Sequence, residues 1–226
     1  MIYLLRKIFF WVFLLENRKM REVILETERL VLRTLEQDDF EEVCKLLQDP
    51  VVMYAYEGAF SDQEVQAWLD KMFWRYENDG FALWAVIEKS SGELIGQCGI
   101  TYQEYNGGWV PEVGYLFRKE FWHKGFATEA AMACKEYAFQ VLNFDEVYSI
   151  IRDSNVASQN VARRNGMTEV DTFVKHYRGV EMPHIIFRVS RKDIWKAWWK
   201  ISGEIEGKTR TKEMRLFYEG WGCIGC

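Results

Sequence analysis

Residues 112–129 read EVGYLFRKEFWHKGFATE, a strand, a turn and the start of a helix in one run. Val113, Tyr115 and Phe117 alternate with Gly114, Leu116 and Arg118, the two-residue period of a strand. Trp122-His123-Lys124-Gly125-Phe126-Ala127 then turns, and a helix is expected from Thr128. Gly125 and Ala127 allow a ligand close to the backbone. The first N–H groups of a helix have no internal partner and carry the positive end of its dipole, which suits a phosphate. The run lacks the Gly-Lys-Ser/Thr ending of a Walker loop and the G-x-G-x-x-G spacing of a dinucleotide fingerprint. Taken alone, an ordinary strand–helix junction explains it as well.

Outward from this stretch the elements are readable. Glu28 to Leu35 alternates as a strand. Glu36 to Gln48 places Phe40, Val43, Leu46 and Leu47 at helical spacing, and Pro50 ends it. Ser61 with Glu64 is a capping box opening a helix to about Tyr76 that buries Val65, Leu69, Met72 and Phe73. Asn78-Asp79-Gly80 turns into a strand over 81–88. Turns at Ser90-Ser91-Gly92 and Asn106-Gly107-Gly108 flank a strand from Leu94 to Thr101. The next strand is expected after Pro111. The helix from Thr128 to Val141 should bury Ala130, Ala131, Cys134, Tyr137, Ala138 and Val141. A strand over 146–152, a helix capped by Asn155 and ended at Gly166, and strands over 168–178 and 182–190 follow. The order β-α-α-β-β-β-α-β-α-β-β implies an α/β fold with one mixed, mostly antiparallel central sheet flanked by helices.

Two motifs carry a family resemblance. Trp122-x-x-Gly125-x-Ala127 resembles the Gln/Arg-x-x-Gly-x-Gly/Ala pyrophosphate loop of the Gcn5-related N-acetyltransferases (GNAT). The Trp at the first position is similar to the RimJ/RimL-type branch. Asn155-Val156-Ala157-Ser158, closing in Asn165-Gly166-Met167, is similar to the family's second motif, and the spacing between the two also fits. The resemblance covers about residues 26–195. It implies the acyl-CoA N-acyltransferase fold and a bacterial, cytoplasmic enzyme. The implied reaction is direct transfer of acetyl from acetyl-CoA to a primary amine, on a protein N-terminus or a small molecule such as an antibiotic or polyamine. A non-catalytic acyl-CoA-binding or sensory domain is the alternative.

The resemblance assigns roles. The backbone of Tyr115, Leu116 and Phe117 should carry the pantetheine arm and polarise the thioester. The N–H groups of His123, Lys124, Gly125, Phe126, Ala127 and Thr128 should take the pyrophosphate, with Asn155 among the coenzyme-binding residues. Glu112, one strand and a turn away, is the expected general base. The family's second base position holds Ile150 here. A Tyr that many members place seven residues after the Asn is Ala162, so Ser158 is the available hydroxyl for the general acid. A solvated Glu at a strand start and a plain first-turn Ser are the competing readings.

The 226 residues are 49% hydrophobic with three Pro, a globular composition. The formal net charge of -5 gives no support to nucleic-acid binding. It mildly favours cationic substrates through steering, although solubility charge explains it as well. Of five cysteines, Cys44, Cys98 and Cys134 look like small buried hydrophobes, and an odd count suits a reducing compartment. Cys223-x-x-Cys226 is one pair where zinc wants four ligands, and no metal is expected. Residues 1–25 form an apolar extension. Its first 15 residues are too short to span a bilayer as a helix and lack a cleavage site. An interfacial helix in contact with a membrane, a packed helix and an upstream mis-start are its readings. The acetyltransferase domain is expected over 26–195. Residues 196–226 remain unassigned, and the chain is expected as a monomer or homodimer.

Overall fold

The computed structural model describes residues 21–177 and 179–193. Its elements are β1 (Val23–Glu26), β2 (Leu30–Arg33), α1 (Phe40–Leu47), α2 (Asp62–Asn78), β3 (Leu83–Glu88), β4 (Leu94–Tyr105), β5 (Gly108–Phe117), α3 (Phe126–Gln140), β6 (Glu146–Arg152), α4 (Val156–Arg164), β7 (Thr168–Tyr177) and β8 (Val180–Ser190). The strands form one 8-stranded sheet in the order β1-β2-β3-β4-β5-β6-β8-β7. Strands β1 to β5 pair antiparallel in succession, as do β7 and β8, and β5 with β6 is parallel. The expected mixed, mostly antiparallel α/β sheet is therefore present.

The departures have physical causes. Strand β1 lies, except for Glu26, inside the stretch read as an apolar extension. It is a four-residue edge strand with Val23 exposed, so it carries no alternation to read. Strand β5 begins before Pro111 and runs through it. The Arg118 N–H donates to the Ile95 carbonyl (2.9 Å). Hydrogen-bonded pairs alternate along an antiparallel ladder, so Leu116, Gly114 and Glu112 also turn their backbone groups toward β4. Pro111 has the other parity. Its missing N–H removes nothing from the β4–β5 ladder.

Helix α2 opens on the predicted box: the Glu64 N–H donates to Ser61 Oγ (3.3 Å), and the Ser61 N–H donates to the Glu64 carboxylate (2.8 Å). Val65, Leu69 and Met72 are fully buried on one stripe and join Val43, Leu46 and Leu47 of α1 against Leu83 and Ala85. Replacing Leu69 by Ala would cost about 2–5 kcal/mol. Phe73 is only half-buried on this cluster. Beneath α1, Arg33 grips Asp39 through two bonds (2.7 and 2.8 Å), both residues buried. Burial alone would raise the Asp39 pKa. The Arg33 hydrogen bond and charge and the Glu36 N–H outweigh it and hold the carboxyl below its usual value.

Alternation sends the intervening residue Trp84 to α3, where its ring lies 5.3 Å from Tyr137. Ala130, Ala131, Cys134 and Ala138 bring α3 close to the sheet, with Cys134 Sγ 3.5 Å from Cys98 Sγ. Val141, expected in the core, is exposed, because it is the C-cap where the helix leaves the sheet. Lys135 and Phe139 are buried instead. Lys135 Nζ donates to the Asn165 carbonyl (3.1 Å), which ties α3 to the end of α4. A second compact unit starts at Ser190. The readings made on residues 1–20 and 194–226, Cys223 and Cys226 included, lie outside the described residues.

Candidate active site

The site grows from two parallel strands that separate. Glu112↔Tyr148 is the single paired position between β5 and β6 among the described residues. Past it the links are made by side chains. Ser149 Oγ donates to the Val113 carbonyl (2.9 Å), and the Ile150 N–H donates to Glu112 Oε1 (2.9 Å). The parity that turns Glu112, Gly114 and Leu116 toward β4 turns the N–H and C=O groups of Val113, Tyr115 and Phe117 toward β6. Tyr115 and Phe117 thus present backbone groups to the opening, while those of Leu116 belong to the sheet ladder. This corrects the expectation for Leu116, whose side chain instead packs on the α1–α2 core.

At the end of β5 the chain turns through a 3₁₀ segment, Lys119–Phe121, into α3. Trp122 Nε1 donates to the Phe117 carbonyl (2.7 Å), so the indole fastens the loop to the strand end. His123 and Gly125 are both left-handed, with φ of 61° and 84°. The Trp122 N–H returns to the Lys119 carbonyl, and the Glu129 N–H returns to the Gly125 carbonyl. Between them, the N–H groups from His123 through Thr128 have no protein acceptor among the described residues. No side chain caps α3. An unfilled cradle of this kind fits a diphosphate, because its donors converge without reorganisation.

Sequence reasoning missed what holds the loop. Arg29 bonds Glu129 through Nε (2.7 Å) and Nη2 (2.6 Å), and its Nη1 donates to the Lys124 carbonyl (3.0 Å). Its guanidinium lies 4.5 Å from the Phe126 ring centroid. Thr27 Oγ1 and the Arg29 N–H also donate to Glu129 (2.6 and 3.0 Å). Burial would raise the Glu129 pKa, and these bonds outweigh it and keep the carboxyl below its usual range. A Cβ at Gly125 would stand 3.4 Å from Arg29 Nη2. Lys124 itself is exposed, with Nζ 4.8 Å from the Phe121 ring.

The second junction, from β6 into α4, is closed. Asn155 Oδ1 accepts from the Ser158 N–H (3.1 Å), and the Gln159 N–H donates to the Asn155 carbonyl (3.1 Å). Asn155 thus acts on the helix rather than offering that oxygen to a ligand. Ser158 is half-buried, and its carbonyl accepts from the Tyr115 hydroxyl (3.1 Å). This bond brings α4 to β5 across the opening. Ala162 is buried, so no hydroxyl stands at that position.

Glu112 is half-buried, and burial pushes its carboxyl up. Lys175, the Ile150 N–H, Arg75 and Gln103 oppose the rise without cancelling it. A carboxylate so placed is a stronger base than one in water and has an N–H to orient it. The aromatics Trp84, Phe81 and Tyr102 serve the core, whereas Tyr105 borders a cleft lined also by Gln103 and Lys175, which act on Glu112.

Residues 29–168 match the family described as "Acetyltransferase (GNAT) domain". The uncharacterized protein YkkB of Bacillus subtilis is 37% identical over 147 residues, 63% of this chain and 84% of YkkB. An Aspergillus fumigatus protein named FsC-acetyl coenzyme A-N(2)-transacetylase is 30% identical over 75% of this chain and 77% of its own. Among solved structures, a RimL ribosomal L7/L12 alpha-N-protein acetyltransferase in complex with coenzyme A superposes with a TM-score of 0.62 at 17% identity, covering 75% of this chain and 98% of that one. At that identity the likeness concerns the fold.

Proposed function

The chain belongs to the GNAT acetyltransferase family, and on that premise we propose that it moves acetyl from acetyl-CoA to a primary amine by direct attack. The observation that supports this most is the pairing of an uncapped helix start with a base. The N–H run from His123 to Thr128 stands at the end of β5, and the Glu112 carboxylate lies where β5 and β6 part.

Acetyl-CoA, as donor substrate, brings a thioester activated toward amines. The protein's residues do the rest. The loop N–H groups and the α3 dipole hold the pyrophosphate. Backbone groups of Tyr115 and Phe117 hold the pantetheine arm and steady the charge that grows on the carbonyl oxygen. Glu112 takes one proton from the acceptor ammonium, directly or through a water. The amine nitrogen then forms the C–N bond and gives up its second proton to solvent, the C–S bond breaks, and the thiolate leaves with a proton from solvent or from Ser158, which solvent then reprotonates. Asn155 acts by fixing the first turn of α4, and thereby Ser158.

The motif at Trp122 and the Asn155-Val156-Ala157-Ser158 run support a RimJ/RimL-like branch and a cytoplasmic enzyme. No helix of the described residues is long and apolar enough to cross a membrane. The test is calorimetric binding of acetyl-CoA together with thiol release against a panel of amines. Binding with thiol release that depends on an amine supports the enzyme. Binding without turnover on any amine would make the chain a sensor of acyl-CoA. Failure to bind acetyl-CoA would overturn both readings.

A further inference from the structure

A cleft of about 340 Å³ opens where the β4–β5 hairpin meets β7, with Gln103, Tyr105, Phe173 and Lys175 among its lining residues. Gln103 and Lys175 also act on the Glu112 carboxylate. The cleft therefore leads to the base, on the face of the sheet that carries α2. Arg75 of α2 reaches the same place: its Nη2 donates to the Tyr102 carbonyl (3.3 Å), and its charge is felt by Glu112. Lys71, one turn earlier on α2, is crowded by Arg75 and Lys175. Among the described residues, none of these three cations has a carboxylate within ion-pair distance.

Asp79, at the end of α2, acts on Arg75, and the other neighbouring acidic groups are engaged elsewhere. Asp171 accepts from the Tyr105 hydroxyl (2.6 Å), and Glu57 holds Arg152 (2.6 Å). Glu104 contributes to the cleft lining but is exposed, and strand alternation sets its side chain opposite in direction to Gln103 and Tyr105. Two cations, Arg75 and Lys175, thus act on one base, and Lys71 acts on both of them, although the whole chain carries a net charge of -5. A bare cationic amine would be repelled here, which reverses the expectation drawn from net charge.

We infer that the acceptor is an amine that also bears a carboxylate, as a free amino acid does, with Lys71, Arg75 and Lys175 holding that carboxylate while its nitrogen faces Glu112. The Tyr105 and Phe173 rings offer an apolar wall to the rest of the molecule. The cations serve the reaction a second way, since their field favours loss of the proton from the bound ammonium. This inference rests on the acetyltransferase reading and narrows it to small acidic amines rather than a protein N-terminus.

The experiment compares each of the common amino acids with its amide, on the full chain saturated with coenzyme A, by calorimetry, and with acetyl-CoA by thiol release. The members of a pair differ at the carboxylate, so side-chain preference cancels within it. At least one acid should bind on the order of tenfold more tightly than its amide, the worth of one charge-assisted contact. Lys175→Gln should remove most of that preference by weakening the acid, while the amide, relieved of one repelling charge, binds no more weakly than before. Lys71→Gln, at an exposed position on α2, should lower it without risk to folding. Equal binding of acid and amide in every pair, no binding by any of them, or a preference untouched by both substitutions would each overturn the inference. In those cases amine-dependent thiol release with any uncharged acceptor would leave the acetyltransferase reading standing. A protein that binds no acetyl-CoA, yet still prefers acids to amides, would sink that reading and keep the anion site.

Discussion

The chain passes twice from a parallel strand into a helix, and it treats the two junctions in opposite ways. Between β6 and α4, Asn155 supplies a cap, and the first turn bonds to itself. Between β5 and α3, Gly125 stands in the cap position with no side chain to offer, and a run of N–H groups is left free among the described residues. Leaving donors without partners costs stability unless water or a ligand takes them. The protein carries that cost at one junction and avoids it at the other. It also braces the open junction from outside with Arg29 and Glu129. The difference separates a helix start that binds from one that positions.

The largest expected effect comes from closing the open junction. Gly125→Glu places a side chain where a Cβ already meets Arg29 Nη2 at 3.4 Å, on backbone with φ of 84°. It also adds negative charge where phosphates are to sit. Calorimetry should register no acetyl-CoA binding, while circular dichroism still reports a folded protein. Wild-type affinity in this variant would remove the open junction from the coenzyme site.

The next effect lies between the junctions, at the carboxylate that bridges β5 to the Ile150 N–H. Glu112→Gln keeps the acceptor oxygen and loses the base, and kcat/KM should fall on the order of 10²–10⁴. The Glu112 pKa is raised by burial, so its basic form appears only above the usual glutamate range. Wild-type rate should climb as pH rises through that raised value, a limb that the variant lacks. The sign for stability is the reverse. A carboxyl with a raised folded pKa stabilises the fold at low pH and loses that contribution as pH rises through the folded value. The variant should therefore be no less stable than wild type at neutral pH. Superimposable pH–rate profiles would assign Glu112 to structure.

The smaller effect at the closed junction sharpens the contrast. Asn155→Ala should cost about 1 kcal/mol, the usual worth of a cap. For a chain of this size that is about 2–4 °C in Tm. Acetyl-CoA affinity should stay within a few-fold of wild type. A large loss of affinity with an unchanged Tm would show that Asn155 touches the coenzyme, and the distinction between the junctions would fail.

Both junctions were legible in the sequence, because each is local: Gly125 and Ala127 at their spacing, and Asn155 ahead of a helical run. So were α2 and its box, in which Ser61 and Glu64 are three residues apart. What was not legible depends on contacts distant in the chain. Arg29 and Glu129 are a hundred residues apart, and nothing in either neighbourhood marks a partner. The cations around the cleft come from α2 and β7, so net charge concealed them. Pro111 misled for the opposite reason. A local rule against Pro in strands was right, but ladder parity at that residue made it harmless. Leu116 was misassigned by the same parity, which belongs to the pairing with β4 and not to β5 alone.

The smallest effect concerns the departing thiol, and its pH dependence is the sharpest test of which junction does what. Ser158 stands in the first turn of the closed junction, and its carbonyl accepts from the Tyr115 hydroxyl. Burial pushes the ionisation of that phenol up, with the Ser158 side chain opposing, so Tyr115 stays neutral and can keep donating at working pH. A thiol has an ordinary pKa of about 8.5, close enough to neutral that its thiolate leaves with little help. Ser158→Ala should therefore slow turnover by roughly tenfold or less, at the low end of what a general acid supplies. Acetyl-CoA affinity should hold. Solvent protons replace the missing acid at low pH, so the Ser158→Ala deficit should grow as pH rises. Above the pH at which Glu112 is ionised, the Glu112→Gln deficit should shrink, because more acceptor amine arrives already deprotonated. Opposite slopes above that pH would assign the base to β5 and the acid to the first turn of α4. A Ser158→Ala enzyme that matches wild type at every pH would hand the protonation step to water and leave α4 a purely positioning role.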